Sequence, residues 1–266
     1  ESRLIQSEGQ GKKWALETGV KNARYECIAQ TDADCLVPTR WLKWVSSGLA
    51  EANMLCGGVS FGPWSFQNLE LMVYQGLGKA SAHMKTPFLC NGANLAYWRQ
   101  DYNEVGGFKE TLDTSSGDDV FLLTQMSKAK KKIAYNLSSS FKVQTKSEKG
   151  GSFFAQRVRW MSKTSKYVSS DTALIGFIAI LANLFVLFGI ANLVIQSTIQ
   201  EFSLIAIVAK FSIDFLFLFL IAQRMSLYRS LVYFPIAAPW YSLYIVLLAP
   251  ISVFYRPKWK DRKIQI

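Results

Sequence analysis

The 266-residue sequence predicts an α/β domain, layered around a largely parallel sheet and followed by a helical transmembrane region. Helical and strand periodicities alternate up to about residue 150. Charge then almost vanishes: between Thr172 and Phe254 only Glu201, Lys210, Asp214, Arg224 and Arg229 are charged. Half of the residues are hydrophobic and 14% are aromatic, a high share for a soluble enzyme. The expected organisation is an α/β domain over 1–150, an amphipathic interfacial helix over 151–171, a transmembrane region over 172–255 and a basic tail over 256–266.

The elements follow in order. Gly9–Gly11 marks a turn, and Lys12–Asn22 has helical spacing through Trp14, Leu16 and Val20. Tyr25–Thr31 is a short apolar strand ending at Asp32-Ala33-Asp34. Pro38 opens a helix whose apolar side is Trp41, Leu42, Val45 and Leu49. Met54–Phe61 is a strand, Phe66–Met84 a helix and Leu95–Trp98 a strand. Asp119–Lys128 is a helix, and Lys132–Tyr135 a strand. Phe153 to about Tyr167 is a further helix. Residues 2–6 read as the end of a strand. In such a layered fold, ligands bind at the carboxyl ends of the strands, where Asp32 and Asp34 lie.

Three hydrophobic segments make up the last third. Ala173–Ile195 is uncharged and long enough to span a bilayer. Phe202–Ala222 contains Lys210 and Asp214, spaced i, i+4 so that each can neutralise the other. Leu231–Phe254 carries Pro235, Pro239 and Pro250, which predicts a kink or an interfacial piece.

The net charge of +11 beside apolar spans points to anionic lipid headgroups. No basic helix with base-reading side chains and no RNA-binding signature is present, so nucleic acid is not an expected partner. Lys128-Ala129-Lys130-Lys131-Lys132 reads as a solvated helix end. Cys27, Cys35, Cys56 and Cys90 form no C-x-x-C pair and are expected to stay as thiols. His83 stands alone and is read as structural.

Four short motifs carry the chemistry. Asp32 and Asp34, at i and i+2 past a strand, can face one pocket: one on a hard cation, the other on a ribose or sugar hydroxyl. Mg²⁺ or Mn²⁺ held by only one or two carboxylates is typical where phosphates supply the other ligands, although a surface turn would look the same. Asn91-Gly92-Ala93-Asn94 is a polar turn of the hairpin type. Asp118-Asp119 sits at a helix start, where an acid serves either as a cap or as a general base. Gln156, Arg159 and Trp160 share a helix face, on which Arg159 could grip a diphosphate and Trp160 stack on a ring. The competing reading is a basic amphipathic helix lying on the membrane, which Arg157, Lys163 and Lys166 fit.

Taken in order, Gly11-Lys12-Lys13-Trp14-Ala15-Leu16, Asp32-Ala33-Asp34, Cys90–Tyr97, Ser116-Gly117-Asp118-Asp119 and Gln156…Arg159-Trp160 resemble the membrane-bound family 2 inverting glycosyltransferases. That group takes in cellulose, hyaluronan and poly-N-acetylglucosamine synthases and ceramide glucosyltransferase-like enzymes. The resemblance covers roughly residues 9–160 and implies a Rossmann-like GT-A fold, a nucleotide-diphospho-sugar donor such as a UDP-sugar, and Mg²⁺ or Mn²⁺. It implies Asp34 on the metal and Asp32, with Lys12, on the donor. It implies Asp119 as the base, beside an Asp118 that replaces the more usual Glu. Gln156, Arg159, Trp160 and Asn94 are implied as phosphate and acceptor contacts. The acceptor is a lipid or a glycan.

Such domains normally begin with a strand and an early uracil-binding Asp. Neither precedes Glu1, so the chain is expected to be an N-terminally truncated piece that binds donor poorly. Because donor sugars are cytoplasmic, the α/β domain is expected on that side, in a bacterial inner membrane. Arg224 and Arg229 then satisfy the positive-inside rule, but the basic tail does not if all three segments cross. A re-entrant or interfacial third segment is the expected resolution. The activities to separate are transfer of one sugar to a lipid, processive polymer synthesis with extrusion, and a non-catalytic subunit.

Overall fold

The computed structural model describes residues 3–112, 117–146, 156–157, 170–196, 201–254, 258–259 and 262–263. The chain divides into two units. The first takes in residues 1–62, 74–147 and 257–266, and the second residues 63–73 and 148–256.

The first unit is mixed α/β. Helix α1 (Lys12–Lys21) leads to strand β1 (Cys27–Gln30), then α2 (Trp41–Leu49), β2 (Met54–Gly57) and β3 (Val59–Ser60). Helix α3 (Gln67–His83) begins among residues of the second unit and ends among those of the first. Strand β4 (Leu95–Trp98), α4 (Arg99–Glu104), α5 (Asp118–Lys128), β5 (Ile133–Asn136) and β6 (Val143–Gln144) follow. The main sheet has the order β1-β4-β2-β5.

Pairing is parallel between β2 and β5 and between β3 and β6. Strand β4, however, runs antiparallel to both β1 and β2. The expectation of a largely parallel sheet therefore holds for strand direction at β1, β2 and β5 but not at β4. The reversal has a chain-path reason. Helix α3 and the segment after it deliver the chain at the carboxyl end of the sheet, and β4 starts there, with Leu95 beside Gln30 of β1 and Cys56 of β2. The Asn91–Asn94 turn is thus the entry to a central strand and not a hairpin, and Phe88–Cys90 forms no strand. Nor do residues 3–7.

Alternation along the strands sets the two faces of the sheet. Ala29, Leu55, Ala96 and Ala134 share one face. The small size of the three alanines admits Trp41, Val45 and Leu49 of α2, which pack there with Leu55, Phe141 and Val143. Leu42, read as part of that apolar side, is 67% exposed, because residues at i and i+1 on a helix point about 100° apart. Tyr97 lies on the other face and stacks on Tyr102 of α4, with ring centroids 5.5 Å apart. The lysine run after α5 is not simply solvated: Lys131 pairs with Asp101 at 2.8 Å and Glu104 at 2.6 Å. All four cysteines are free thiols.

The second unit contains helices α6 (Ser170–Gln196), α7 (Glu201–Met225) and α8 (Phe234–Phe254), with a 3₁₀ stretch over Tyr228–Tyr233. Ala173–Ile195, Glu201–Met225 and Tyr228–Leu248 are each long and apolar enough to cross a membrane. Large apolar side chains such as Phe177, Phe188, Phe202 and Trp240 face outward, as lipid contact requires. The expected pair forms: Lys210 Nζ lies 2.6 Å from Asp214 Oδ2 and also donates to Asn183 Oδ1 on α6 at 3.2 Å. The prolines of the third segment do not break it. Pro235 occupies the first turn of α8, where no intrahelical donor is needed, and the helix continues through Pro239. Ser230 accepts from Asn68 Nδ2 at 2.9 Å and Arg229 lies over the Trp64 ring, packing the α7–α8 connection against residues 63–73.

One glycine of the sheet is sterically required. A Cβ at Gly57 would overlap the side-chain amide of Asn94. Gly57→Ala is expected to lower stability by about 1–3 kcal/mol through overpacking, read as a fall in the thermal unfolding midpoint.

Candidate active site

The carboxyl ends of β1 and β2 hold the expected acidic residues, and local geometry explains how. Two residues past β1, the chain turns at Asp32, closed by the Cys35 N–H donating to Asp32 O at 3.1 Å. Leu36 then pairs in both directions with Gln144 of β6, at 2.7 and 3.0 Å, which anchors the far side of the turn. Ligand atoms of Asp32, Asp34 and Cys35 all lie within 4.8 Å of one another.

Lys12 is the centre of the site. Its Nζ lies 2.9 Å from Asp32 Oδ1 and 3.2 Å from Asp118 Oδ2. A cation in the first turn of α1 is at the unfavourable end of the helix dipole, so its place there depends on these acids. Burial works against its charge, but Asp118, Asp32 and Asp119 together outweigh burial and hold the ammonium well above the usual lysine range.

Gly117, in the left-handed conformation at φ 83°, starts α5 and sets the two acids that follow into different environments. Asp118 is buried against Lys12. Asp119 is half-buried; its Oδ2 accepts from Gly92 N at 3.1 Å and its Oδ1 from Val120 N at 2.9 Å. Gly92 therefore meets the acids directly. A Cβ at this position would lie 3.2 Å from Asp118 Oδ2, 3.2 Å from Gln30 Nε2 and 3.3 Å from Lys12 Nζ.

The structure thus brings together Lys12, Asp32, Asp118 and Asp119, with Asp34 beside Asp32. Asn94 takes a different place. It is fully buried, with Oδ1 accepting from Trp41 Nε1 at 2.9 Å and Nδ2 donating to Gly58 O at 2.9 Å and Phe141 O at 3.0 Å. Its amide is committed to the scaffold at both ends, and the expected acceptor contact is replaced by support of the turn. Gln156 is described within the helical unit, where its Oε1 accepts from Arg157 Nη1. Arg159, Trp160, Lys163 and Lys166 lie outside the described residues. Arg157 does not lie on a membrane-facing surface: it is fully buried and ion-paired with Glu70.

Gln30 is a site neighbour that the motifs did not indicate. It is buried and donates to Gly92 O at 2.9 Å. Its signal was a glutamine closing an otherwise apolar strand.

The donor set decides which cation would fit. Partial burial pushes the Cys35 thiol up; a Thr145 hydrogen bond opposes this, and the Asp32 and Asp34 charges reinforce it. A protonated thiol is a poor ligand, which leaves two carboxylates suited to hard cations such as Mg²⁺ or Mn²⁺. Asp32 is already engaged by Lys12, whereas Asp34 is exposed, with the Cys35 thiol 3.9 Å from its Oδ1.

Comparison with known families decides the class of chemistry. The model of glycosyl transferase family 21 matches residues 7–256, nearly the whole chain. The chain belongs to glycosyl transferase family 21. The family match takes in both acidic pairs and the three spanning-length helices found among the described residues. This glycosyltransferase is therefore membrane-associated, and its activity calls for a sugar donor and an acceptor. The family shown is 21, and the likeness to family 2 rests on motif order alone. No curated protein matches the chain significantly.

Lys12 makes one pH dependence specific. A lysine whose folded value is raised stabilises fully below its ordinary 10.5 and loses that contribution as pH climbs toward the folded value. The stability advantage of the wild type over Lys12→Met is expected to be constant from neutral pH to about 10 and to shrink above it. Chemical unfolding of both proteins across that range checks this.

Proposed function

We propose that this family 21 protein transfers a sugar from a nucleotide-diphospho-sugar, a UDP-sugar, to a hydroxyl of a membrane lipid, with inversion at the anomeric carbon. The observation that carries the proposal is the split between the two adjacent acids. Asp118 is consumed by Lys12, whereas Asp119 is half-buried and held by two backbone N–H groups. Those groups fix the orientation of the Asp119 carboxylate, as a general base requires.

In this reading, Asp119 takes the proton of the acceptor hydroxyl as its oxygen attacks the anomeric carbon. The diphosphate leaves from the opposite face. Lys12 supplies a fixed positive charge to the leaving group, an electrostatic contribution that grows as charge develops there. Asp32, paired with Lys12, orients that ammonium and contacts the donor ribose. Asp34 would hold Mg²⁺ or Mn²⁺, which when bound supplies further neutralisation of the diphosphate. Gln156, Arg159 and Trp160 complete the reading as phosphate and acceptor contacts. A single displacement needs one base and no carboxylate nucleophile, and Asp119 fills the role of that base.

The first unit would be a GT-A domain on the cytoplasmic side, where nucleotide sugars are found. Extrusion of a polymer calls for a lined pore, and in this reading the three candidate spans among the described residues go with transfer of one sugar. The test uses the full-length protein in membranes, with each radiolabelled nucleotide sugar, Mg²⁺ or Mn²⁺ and native lipid. One discrete labelled species in the organic phase is expected, and Asp119→Asn should lower its rate by about 10²–10⁴-fold. A large water-soluble product would instead identify a polymer synthase. Absence of transfer from every donor would identify a non-catalytic subunit.

A further inference from the structure

Within the helical unit a charged side chain is fully buried. It is that of Arg157, whose guanidinium reaches Glu70, Gln67 and Gln156. Nε donates to Glu70 Oε2 at 2.7 Å, Nη2 to Gln67 Oε1 at 3.4 Å, and Nη1 to Gln156 Oε1. Glu70 is itself buried, and its other oxygen accepts from Tyr244 of α8 at 3.4 Å. Gln67 and Glu70 of α3 and Gln156 therefore meet on one guanidinium, and α8 joins through Glu70.

A buried ion pair is a poor device for stability alone, because desolvation offsets most of the attraction and apolar residues of the same size often serve as well. Geometry is what this arrangement supplies. The planar fork of arginine donates along several fixed directions at once, which a lysine cannot do. One of those directions holds the oxygen of the Gln156 amide. With Oε1 tied to Arg157, the NH₂ end becomes the part of Gln156 that serves a ligand, a donor suited to a phosphate or sugar oxygen.

We propose that Arg157, held by Glu70, is a positioning residue that fixes the orientation of Gln156 for transfer. This rests on the reaction proposed above. Arg157 touches neither donor nor acceptor; it acts by presenting the amide donor of Gln156 and by tying that segment to α3 and α8. A misplacement of about 1 Å at a substrate contact can lower turnover by about a hundredfold, so the consequence is measurable.

Arg157→Lys keeps the charge opposite Glu70 and removes the fork; Glu70→Gln keeps the shape and removes the charge, and serves where the first variant fails to fold. Both are compared with the full wild-type chain in lipid nanodiscs by amide hydrogen exchange at Gln156 and Arg157 and by steady-state transfer. The expected result is faster exchange at these two amides, unchanged exchange elsewhere, and a fall of about tenfold or more in kcat with KM for the nucleotide sugar within about twofold. Unchanged exchange at Gln156 overturns the proposal whatever the activity. Faster exchange with unaltered kcat overturns it as well, since the anchor would then not serve transfer. Loss of kcat with faster exchange throughout the chain also overturns it, because the role would be only structural. Wild-type protein that transfers no sugar from any nucleotide donor defeats the proposed function itself, an outcome distinct from an active wild type with indifferent variants.

Discussion

Lys12 is the charge around which the first unit is organised. Placed in the first turn of a helix, it opposes the helix dipole and loses part of its hydration while staying partly exposed. Asp32 from the end of β1 and Asp118 from the start of α5 compensate for both. Three elements far apart in sequence are thereby held at one point, and the acid left over, Asp119, is oriented by the Gly92 N–H. Without the cation, two carboxylates would face each other at the strand ends. With Asp34 and Asp119 alongside, one ammonium faces four aspartates, so the formal charge of the site is negative before any ligand arrives. An incoming anion must compete with aspartates for a lysine, which suits recognition that ends in release of product.

The reversed strand β4 makes this arrangement possible. Because β4 starts where β1 and β2 end, its leading turn lies among the acids instead of at the opposite edge. Asn94 holds that turn from below by three internal hydrogen bonds, and Gly92 permits the close approach. Scaffold and chemistry are therefore divided within one short motif: asparagine for the frame, glycine for the contact.

Local pattern made much of this legible in the sequence. The helical spacing of Trp41, Val45 and Leu49, the strand before Asp32, the i, i+4 spacing of Lys210 and Asp214 and the three apolar segments all reappear in the structure. Properties that depend on distant partners were not legible. The direction of β4 follows from the path of a preceding helix, and no feature of Leu95–Trp98 encodes it. Asn94 reads as a polar turn residue because spacing does not show that Trp41 will reach its amide. Arg157 reads as a surface cation because it stands among other basic residues, while its partner Glu70 lies 87 positions earlier. Neutralisation, like strand direction, is non-local information.

The Lys210–Asp214 pair has a consequence for how the protein is made. A lone lysine or aspartate at the middle of a nascent segment is costly to hand over to lipid. Placed one helical turn apart, the two can cancel each other as soon as α7 coils, with no later helix needed. Asn183 belongs to α6, which leaves the ribosome earlier, so the remaining polar contact is already waiting when α7 arrives. The order of synthesis thus matches the order in which these two charges find partners, and α8 can join a pair of helices in which Lys210 and Asp214 are already paired.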